Sequence, residues 1–299
     1  MSVVVTGAAG FIGRHLVHAL TARGDAVVGI DRRPGIPVTA RPLLGDLNDI
    51  GNDDIAGALR RADAVFHLAA FPGVRANGPA AEQRRRLDNV GAANRVLDLV
   101  PLGVPLVVTS SSSVYGGSTG RPCAEGDTPH PRGAYARSKL DVERRCARRV
   151  SRGGHVAVAR PFTVAGEGQR PDMAISRWIA AAQSGEALTI LGSGDRSRDI
   201  TDVRDVVEGL VRMLDRGVRA TVNLGTGVGN RLDAVVAAVA AAVDRDVRLV
   251  VARAAADEPP ATLADTRRCH ELLGFVPTTD IDAVVRRQLA SSLVTAGAA

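Results

Sequence analysis

One lysine stands among 37 arginines in these 299 residues. Wherever else the chain uses a fixed positive side chain, a guanidinium serves. Arg is wide, planar and permanently charged, whereas Lys carries a compact ammonium whose proton affinity responds to its surroundings. Lys139 is therefore expected to take part in chemistry. Aromatic residues are almost as scarce, at 3%, which excludes the stacking platforms that single-stranded nucleic acids need. The three cysteines, Cys123, Cys146 and Cys269, are odd in number and far apart, so neither a disulfide framework nor a cysteine-based metal site is expected. No apolar run reaches membrane-spanning length, and no basic segment with a cleavage site leads into the first apolar run. The expectation is a cytoplasmic protein in a reducing compartment, with neither a membrane nor a nucleic acid as partner. The net charge is +6, but acids interrupt the arginines, and Arg84-Arg85-Arg86 reads as a solvated helix face. A mildly basic balance suits an enzyme of phosphate-bearing substrates.

With 45% hydrophobic and 23% charged residues the chain has the composition of a globular protein. Val3-Val4-Val5 reads as a short buried strand that runs into a glycine loop, with a helix expected over residues 11–23. Further apolar strands are expected at 26–30, 64–68, 104–109 and 156–159, separated by helices over 55–61, 80–100 and 135–152. Continuous apolar strands alternating with helices predict an α/β protein whose doubly wound parallel sheet is covered on both faces. After Arg160-Pro161 the rhythm changes. A helix is expected over 173–184, a strand over 188–191, then a helix over 203–214 and a strand over 222–224 that return to the first unit. The segments 232–243 and 247–251 and the tail helices make up the remainder. The expected division is a Rossmann domain of residues 1–161 and 200–224, with a smaller C-terminal α/β substrate-binding domain of 162–199 and 225–299.

The loop Thr6-Gly7-Ala8-Ala9-Gly10-Phe11-Ile12-Gly13 places glycines three apart between a strand and a helix. Gly7 allows the tight turn, Gly10 lets a pyrophosphate approach the backbone, and Gly13 lets helix pack on strand. Free N–H groups where Phe11 and Ile12 open the helix favour an anion. Asp31 closes the next strand, where a carboxylate accepts from both ribose hydroxyls and repels a 2′-phosphate. NAD is the expected cofactor. The neighbouring Arg32-Arg33 is the counter-argument, since those side chains could receive the extra phosphate of NADP. In Gly45-Asp46-Leu47, Asp46 can meet an adenine amino group beside Leu47, and Leu68-Ala69-Ala70 supplies small residues where backbone passes close to the cofactor. His67 reads as a satisfied core histidine.

Tyr135, one of only two tyrosines, precedes Lys139 by four residues in Tyr135-Ala136-Arg137-Ser138-Lys139. On a helix the two share a face. The ammonium can then favour phenolate and draw a pKa near 10 toward the working range.

Together these segments resemble the extended short-chain dehydrogenase/reductase superfamily, specifically its nucleotide-sugar epimerases and dehydratases. The likeness extends through Asn89-Val90-Gly91, the serine run at 110–113 leading into Val114-Tyr115-Gly116, Arg160-Pro161, Arg198-Asp199 and Leu273-Gly274-Phe275. The resemblance implies that Asn89 and Pro161 also lie at the cofactor. It further implies that Ser111 binds the sugar hydroxyl being oxidised, that Tyr135 takes its proton, and that Lys139 holds the nicotinamide ribose. Ser110 is a fallback in the same run. Dehydratases similar to this chain carry Asp-Glu directly after that Ser or Thr, and related decarboxylases keep a Glu. Here Ser112 and Ser113 stand instead, and serine is no carboxylate acid–base pair near neutral pH.

Epimerisation at C4 is therefore the implied reaction. UDP-glucuronate 4-epimerases are similar at Thr163 and Arg170, which there lie near the sugar carboxylate, and at Gly73-Val74-Arg75. An Arg fork beside a hydroxyl suits a carboxylate. Arg198 is implied as a partner of the nucleotide diphosphate, with Ser112 and Ser113 beside the sugar. Ala165, Glu167 and the acidic segment at 255–258 depart from that pattern, and Arg253 is a nearby substitute for the missing arginine of that segment. A UDP-sugar substrate and a homodimer through the 80–100 and 135–152 helices complete the implied picture. UDP-glucose 4-epimerase and a 4-ketoreductase or dehydrogenase using the same trio are the alternatives.

Overall fold

A computed structural model describes residues 1–72, 78–255 and 258–296. The three valines of β1 (Ser2–Thr6) are buried from both sides, which only a strand central to a covered sheet permits. From there the chain alternates through α1 (Phe11–Ala22), β2 (Ala26–Asp31), β3 (Arg41–Leu44), α2 (Asp53–Arg61) and β4 (Ala64–His67). Next come α3 (Pro79–Arg85), a π-helical turn (Arg86–Gly91), α4 (Ala92–Leu99), β5 (Leu106–Thr109) and a 3₁₀ turn (Ser112–Tyr115). They are followed by α5 (Gly133–Val150), β6 (Val156–Pro161), β7 (Thr163–Ala165), α6 (Ala174–Ser184), β8 (Leu188–Leu191) and β9 (Ser197–Asp202). The chain ends with α7 (Val203–Asp215), β10 (Thr221–Leu224), β11 (Gly229–Arg231), α8 (Leu232–Val243), β12 (Leu249–Ala252), α9 (Arg267–Leu273) and α10 (Ile281–Ala296).

Seven parallel strands form one sheet in the order β10-β6-β5-β4-β1-β2-β3. This is the expected doubly wound α/β sheet of Rossmann type. Leu16, Val17 and Leu20 of α1 pack with Val206 and Leu210 of α7 on one face, while α2, α4 and α5 cover the other. Cys269 and Leu273 of α9 join the first of these cores. A three-stranded sheet, β11-β9-β7, and a two-stranded one, β12-β8, carry the remainder. The strand over 197–202 thus lies in the small sheet, and α7 leads back to the large one. A separate apolar core joins α6, α8, β8 and Val284 and Val285 of α10. Among the described residues no helix is long and apolar enough to cross a membrane.

The single helix expected over 80–100 is divided. The π turn at Arg86–Gly91 inserts an extra residue between α3 and α4 and turns Asn89 inward, where it is 2% exposed. Gly91 lies so close to Asn48 that a Cβ would come within 2.8 Å of its amide oxygen. Because the strands are parallel, Thr6, His67, Thr109 and Pro161 collect at one edge of the sheet, the edge where open α/β proteins place their ligands.

Candidate functional site

At that edge the glycine loop is tight by construction. Gly7 adopts φ +74°, and a Cβ there would lie 2.7 Å from the Ala69 nitrogen, so two loops close on one another across the ends of β1 and β4. A Cβ on Gly13 would run into the Gly7 carbonyl oxygen. α1 begins after Gly10 with neither a side-chain cap nor an acid in its first turn, which leaves its N-terminal N–H groups for an anion. Thr6 ties the edge together: its hydroxyl shares a 2.8 Å hydrogen bond with His67 Nδ1 and accepts from Ala69 N at 3.3 Å. His67 is a core residue, as expected. Burial and the Lys139 charge push its pKa down to about 3.

Asp31 is buried at the end of β2, accepting from Ala9 N at 3.1 Å and from Arg33 N at 2.9 Å. Arg32 forks the Asp88 carboxylate at 3.0 and 2.5 Å and lies 3.7 Å from Asp46. A guanidinium so engaged is a poor receptor for a 2′-phosphate. Asp46 also accepts from Asn48 N at 2.8 Å, beside the buried Leu47. Asn89 has its side-chain oxygen on Phe71 N at 2.6 Å and its amide nitrogen on Ser138 Oγ at 2.9 Å, so it braces the loop after Ala70 against α5.

Helix α5 buries Ala136, Ser138, Lys139, Val142, Cys146 and Arg149, a stripe at helical spacing that faces the sheet. This stripe carries Lys139 inward until its Nζ donates to the Thr109 carbonyl at 2.8 Å, 6.0 Å from the centre of the Tyr135 ring. Ser111 caps the 3₁₀ turn by accepting from Ser113 N at 3.1 Å, and its hydroxyl hydrogen-bonds the Tyr135 phenol. The expected trio is thus assembled from β5, the turn after it, and α5. Burial pushes the Lys139 pKa down to about 8, opposed by Glu143 and Cys146.

One expectation needs correcting. Burial pushes the phenol of Tyr135 up rather than into the working range, and the groups that oppose burial are Ser111, Arg170 and Arg85, not Lys139.

The substrate residues fall as follows. Arg170 lies within electrostatic reach of the phenol, although 35 residues separate it from Tyr135 in the chain. It is held by a 2.8 Å fork to Asp172. Thr163 is half-buried on β7, and Ser112 is half-buried in the turn. Ser113 Oγ is buried and has no hydrogen-bond partner among the described residues. Arg198 donates to Glu258 at 2.7 Å. Arg75 lies outside the described residues.

The Arg84-Arg85-Arg86 run is corrected too. Arg84 and Arg86 are exposed, but Arg85 is 2% exposed, because the helical period turns one residue of such a run toward α5. Sequence reasoning missed Arg85, the Arg198–Glu258 pair and Glu143. Only Glu143 left a signal, since it falls four residues beyond Lys139 on the same face.

The residues present fit NAD. The glycine turn leaves no room for a Cβ, the helix end is uncapped, Asp31 is fixed at the strand end, and Arg32 is engaged elsewhere. The protein MoeE5, whose structures are complexes with NAD and either UDP-glucuronic acid or UDP-glucose, is 38% identical, with TM-scores of 0.89 and 0.90, over 99% of this chain and 100% of that one. A UDP-glucuronic acid 4-epimerase of Bacillus cereus, solved with UDP-glucuronic acid and NAD, is 27% identical at a TM-score of 0.92, with 99% and 100% of the two chains covered. An uncharacterized UDP-glucose epimerase of Bacillus subtilis, YtcB, is 32% identical over 97% of both chains. The profile of the family described as "Epimerase: NAD dependent epimerase/dehydratase family" matches residues 3–225, and the chain belongs to that family.

Proposed function

We propose that the protein is a UDP-hexuronate 4-epimerase acting on UDP-glucuronate, inverting C4 through a transient 4-keto sugar that turns over in the site. The observation that carries this reading is the Arg170 guanidinium, whose charge acts on the Tyr135 phenol and which would exchange its fork to Asp172 for a carboxylate on the sugar. Thr163, half-buried on β7, is the hydroxyl that this reading pairs with Arg170 at the sugar carboxylate. NAD, when bound, supplies a reversible hydride acceptor. Gly7, Gly10, Phe11, Ile12 and Gly13 would hold its pyrophosphate, Asp31 its adenine ribose, Asp46 and Leu47 its adenine, and Lys139 its nicotinamide ribose. Leu68, Ala69, Ala70, Asn89 and Pro161 would frame it.

Tyr135 accepts the proton of the C4 hydroxyl and returns it after the ring has turned. Ser111 holds that oxygen in line. The Ser111 bond and the Arg170 and Arg85 charges oppose the burial that raises the phenol without cancelling it, so the acceptor is its minor phenolate form. With serine at 112 and 113 there is no carboxylate to draw a proton from C5 or expel water, which supports epimerisation over dehydration. A homodimer through α3, α4 and α5 belongs to this reading, with exposed Leu87 on the π turn between α3 and α4 and exposed Val150 at the end of α5.

UDP-glucose is the second substrate reading, because MoeE5 has been seen with it. The test is incubation of the purified protein with UDP-glucuronate or UDP-glucose, without added cofactor, and chromatography of the products. The reading expects UDP-galacturonate from the first, a smaller turnover of the second, and no net change at about 340 nm, where reduced nicotinamide absorbs. Arg170→Ala should reduce turnover of the uronate on the order of 100-fold, the loss of a charge-assisted pair, with much less effect on UDP-glucose. Equal losses on both, or stoichiometric build-up of reduced cofactor, would reject it.

A further inference from the structure

Beneath the trio lies a buried polar network that the reaction as described does not use. Glu143 follows Lys139 by one helical turn on α5, so the two side chains are neighbours on the buried face. Its carboxylate is held from three directions. Ser110 Oγ donates to Oε1 at 2.5 Å, Arg160 Nε donates to the same oxygen at 2.9 Å, and an Arg160 terminal nitrogen donates to Oε2 at 2.6 Å. Arg160, on β6, donates in turn to the Tyr115 hydroxyl at 2.8 Å, and Tyr115 donates to Asn223 on β10 at 2.7 Å. The side chains of Arg160 and Glu143 are 5% and 9% exposed.

Replacing such an ion pair with apolar residues is often neutral or stabilising, so its presence calls for a reason beyond stability. Arg160 grips this carboxylate directly, and the Lys139 ammonium one helical turn away lies within its electrostatic reach. The arrangement has the sense of a counter-charge that is aimed. We propose that Glu143 is a positioning residue for the reaction, its carboxylate clamped by Arg160 and Ser110 so that it keeps the buried Lys139 ammonium charged and directed at the site. The same clamp holds Ser110, and through it the adjacent Ser111. This inference rests on the catalytic reading of Lys139, but its first test does not.

The groups facing Lys139 are Tyr135, Glu143 and Cys146 on its own helix and His67 from β4, with Arg160 behind Glu143. The Lys139 charge disfavours a charged His67, which stays neutral, whereas Glu143 and Cys146 favour the ammonium.

Because the chain has one lysine, protein labelled with carbon-13 at lysine Cε gives a single side-chain resonance that needs no assignment. Titrating that signal in the full-length, NAD-saturated protein reads Lys139 directly. Glu143→Gln should move its midpoint acid-ward by about 1 unit, the usual effect of one close counter-charge, and should move the alkaline limb of kcat/KM with it. Glu143→Asp should restore most of both. Should Glu143→Gln fail to fold with Arg160 left uncompensated, Glu143→Gln with Arg160→Met removes the pair together, and an acid-ward shift is again expected. Coincident lysine titrations in wild type and variant would overturn the proposal, whatever happens to activity. A shifted titration with an unshifted kcat/KM profile would sustain the coupling and overturn the catalytic reading of Lys139.

Discussion

Replacing Lys139 with methionine should abolish turnover and, at pH 7, make the cofactor-free protein more stable. The ammonium is 5% exposed, and burial holds its pKa at about 8 against an ordinary 10.5. At 1.36 kcal/mol per unit, that difference withholds about 3 kcal/mol of folding free energy while Lys139 is protonated. Loss of its hydrogen bond to the Thr109 carbonyl removes about 1 kcal/mol, leaving a net gain of about 2 kcal/mol for the variant.

The sign depends on pH. Below about 8 the folded and unfolded chains both hold the proton, so the full penalty is present. Between about 8 and 10.5 the folded chain releases it while the unfolded chain keeps it, so wild-type stability rises through this window. Methionine has nothing to titrate, and its advantage should shrink across the same window and vanish near its upper end. Urea unfolding followed by far-ultraviolet circular dichroism, on both proteins from pH 6.5 to 10, measures the difference and cancels groups common to both. A variant less stable than wild type at pH 7, or a difference that is flat with pH, would refute the reasoning.

Other outcomes follow from the same site. Tyr135→Phe should lower kcat on the order of 1,000-fold by removing the proton acceptor, with NAD binding by calorimetry unchanged; a loss under tenfold would contradict the role. Glu258→Gln releases Arg198 from its 2.7 Å ion pair, so the Kd for UDP should tighten roughly 3- to 10-fold, as expected when a competing charge-assisted hydrogen bond is lost. Weaker or unchanged binding would mean that Arg198 does not meet the diphosphate. Gly13→Ala drives a Cβ into the Gly7 carbonyl oxygen, and the forced shift of the loop should weaken NAD binding by about 1–3 kcal/mol, read by the same calorimetry.

Much of this arrangement was legible because it is local. Val3-Val4-Val5, the glycine turn and Asp31 occupy one short stretch, and helical spacing alone brings Tyr135 beside Lys139. Strand 188–191 matched the observed bounds because apolar pattern and turn residues agree there. What escaped is either short or long-range. β7 and β11, three residues each, are too brief for any periodicity to register. The π turn at Arg86–Gly91 adds one residue to a helix without changing its composition, so 80–100 read as continuous.

Arg85 could not be told from Arg84 or Arg86 until α5 was in place beside it. Glu143 and Arg160 lie on different elements 17 residues apart, and only the parallel sheet brings them within 2.6 Å. The phenol of Tyr135 behaved differently from expectation for a related reason: its burial and the approach of Arg170 are properties of the assembled site, not of one helix.

The most direct test of transient oxidation at C4 is the fate of the hydrogen on that carbon. UDP-glucuronate is incubated with the enzyme in deuterium oxide, and the product is examined by proton NMR and mass spectrometry. The account predicts UDP-galacturonate that carries protium at C4, because that hydrogen leaves and returns as hydride within the site and never meets solvent. Deuterium at C4 or C5 of the product would contradict it, since inversion would then have gone through proton exchange instead.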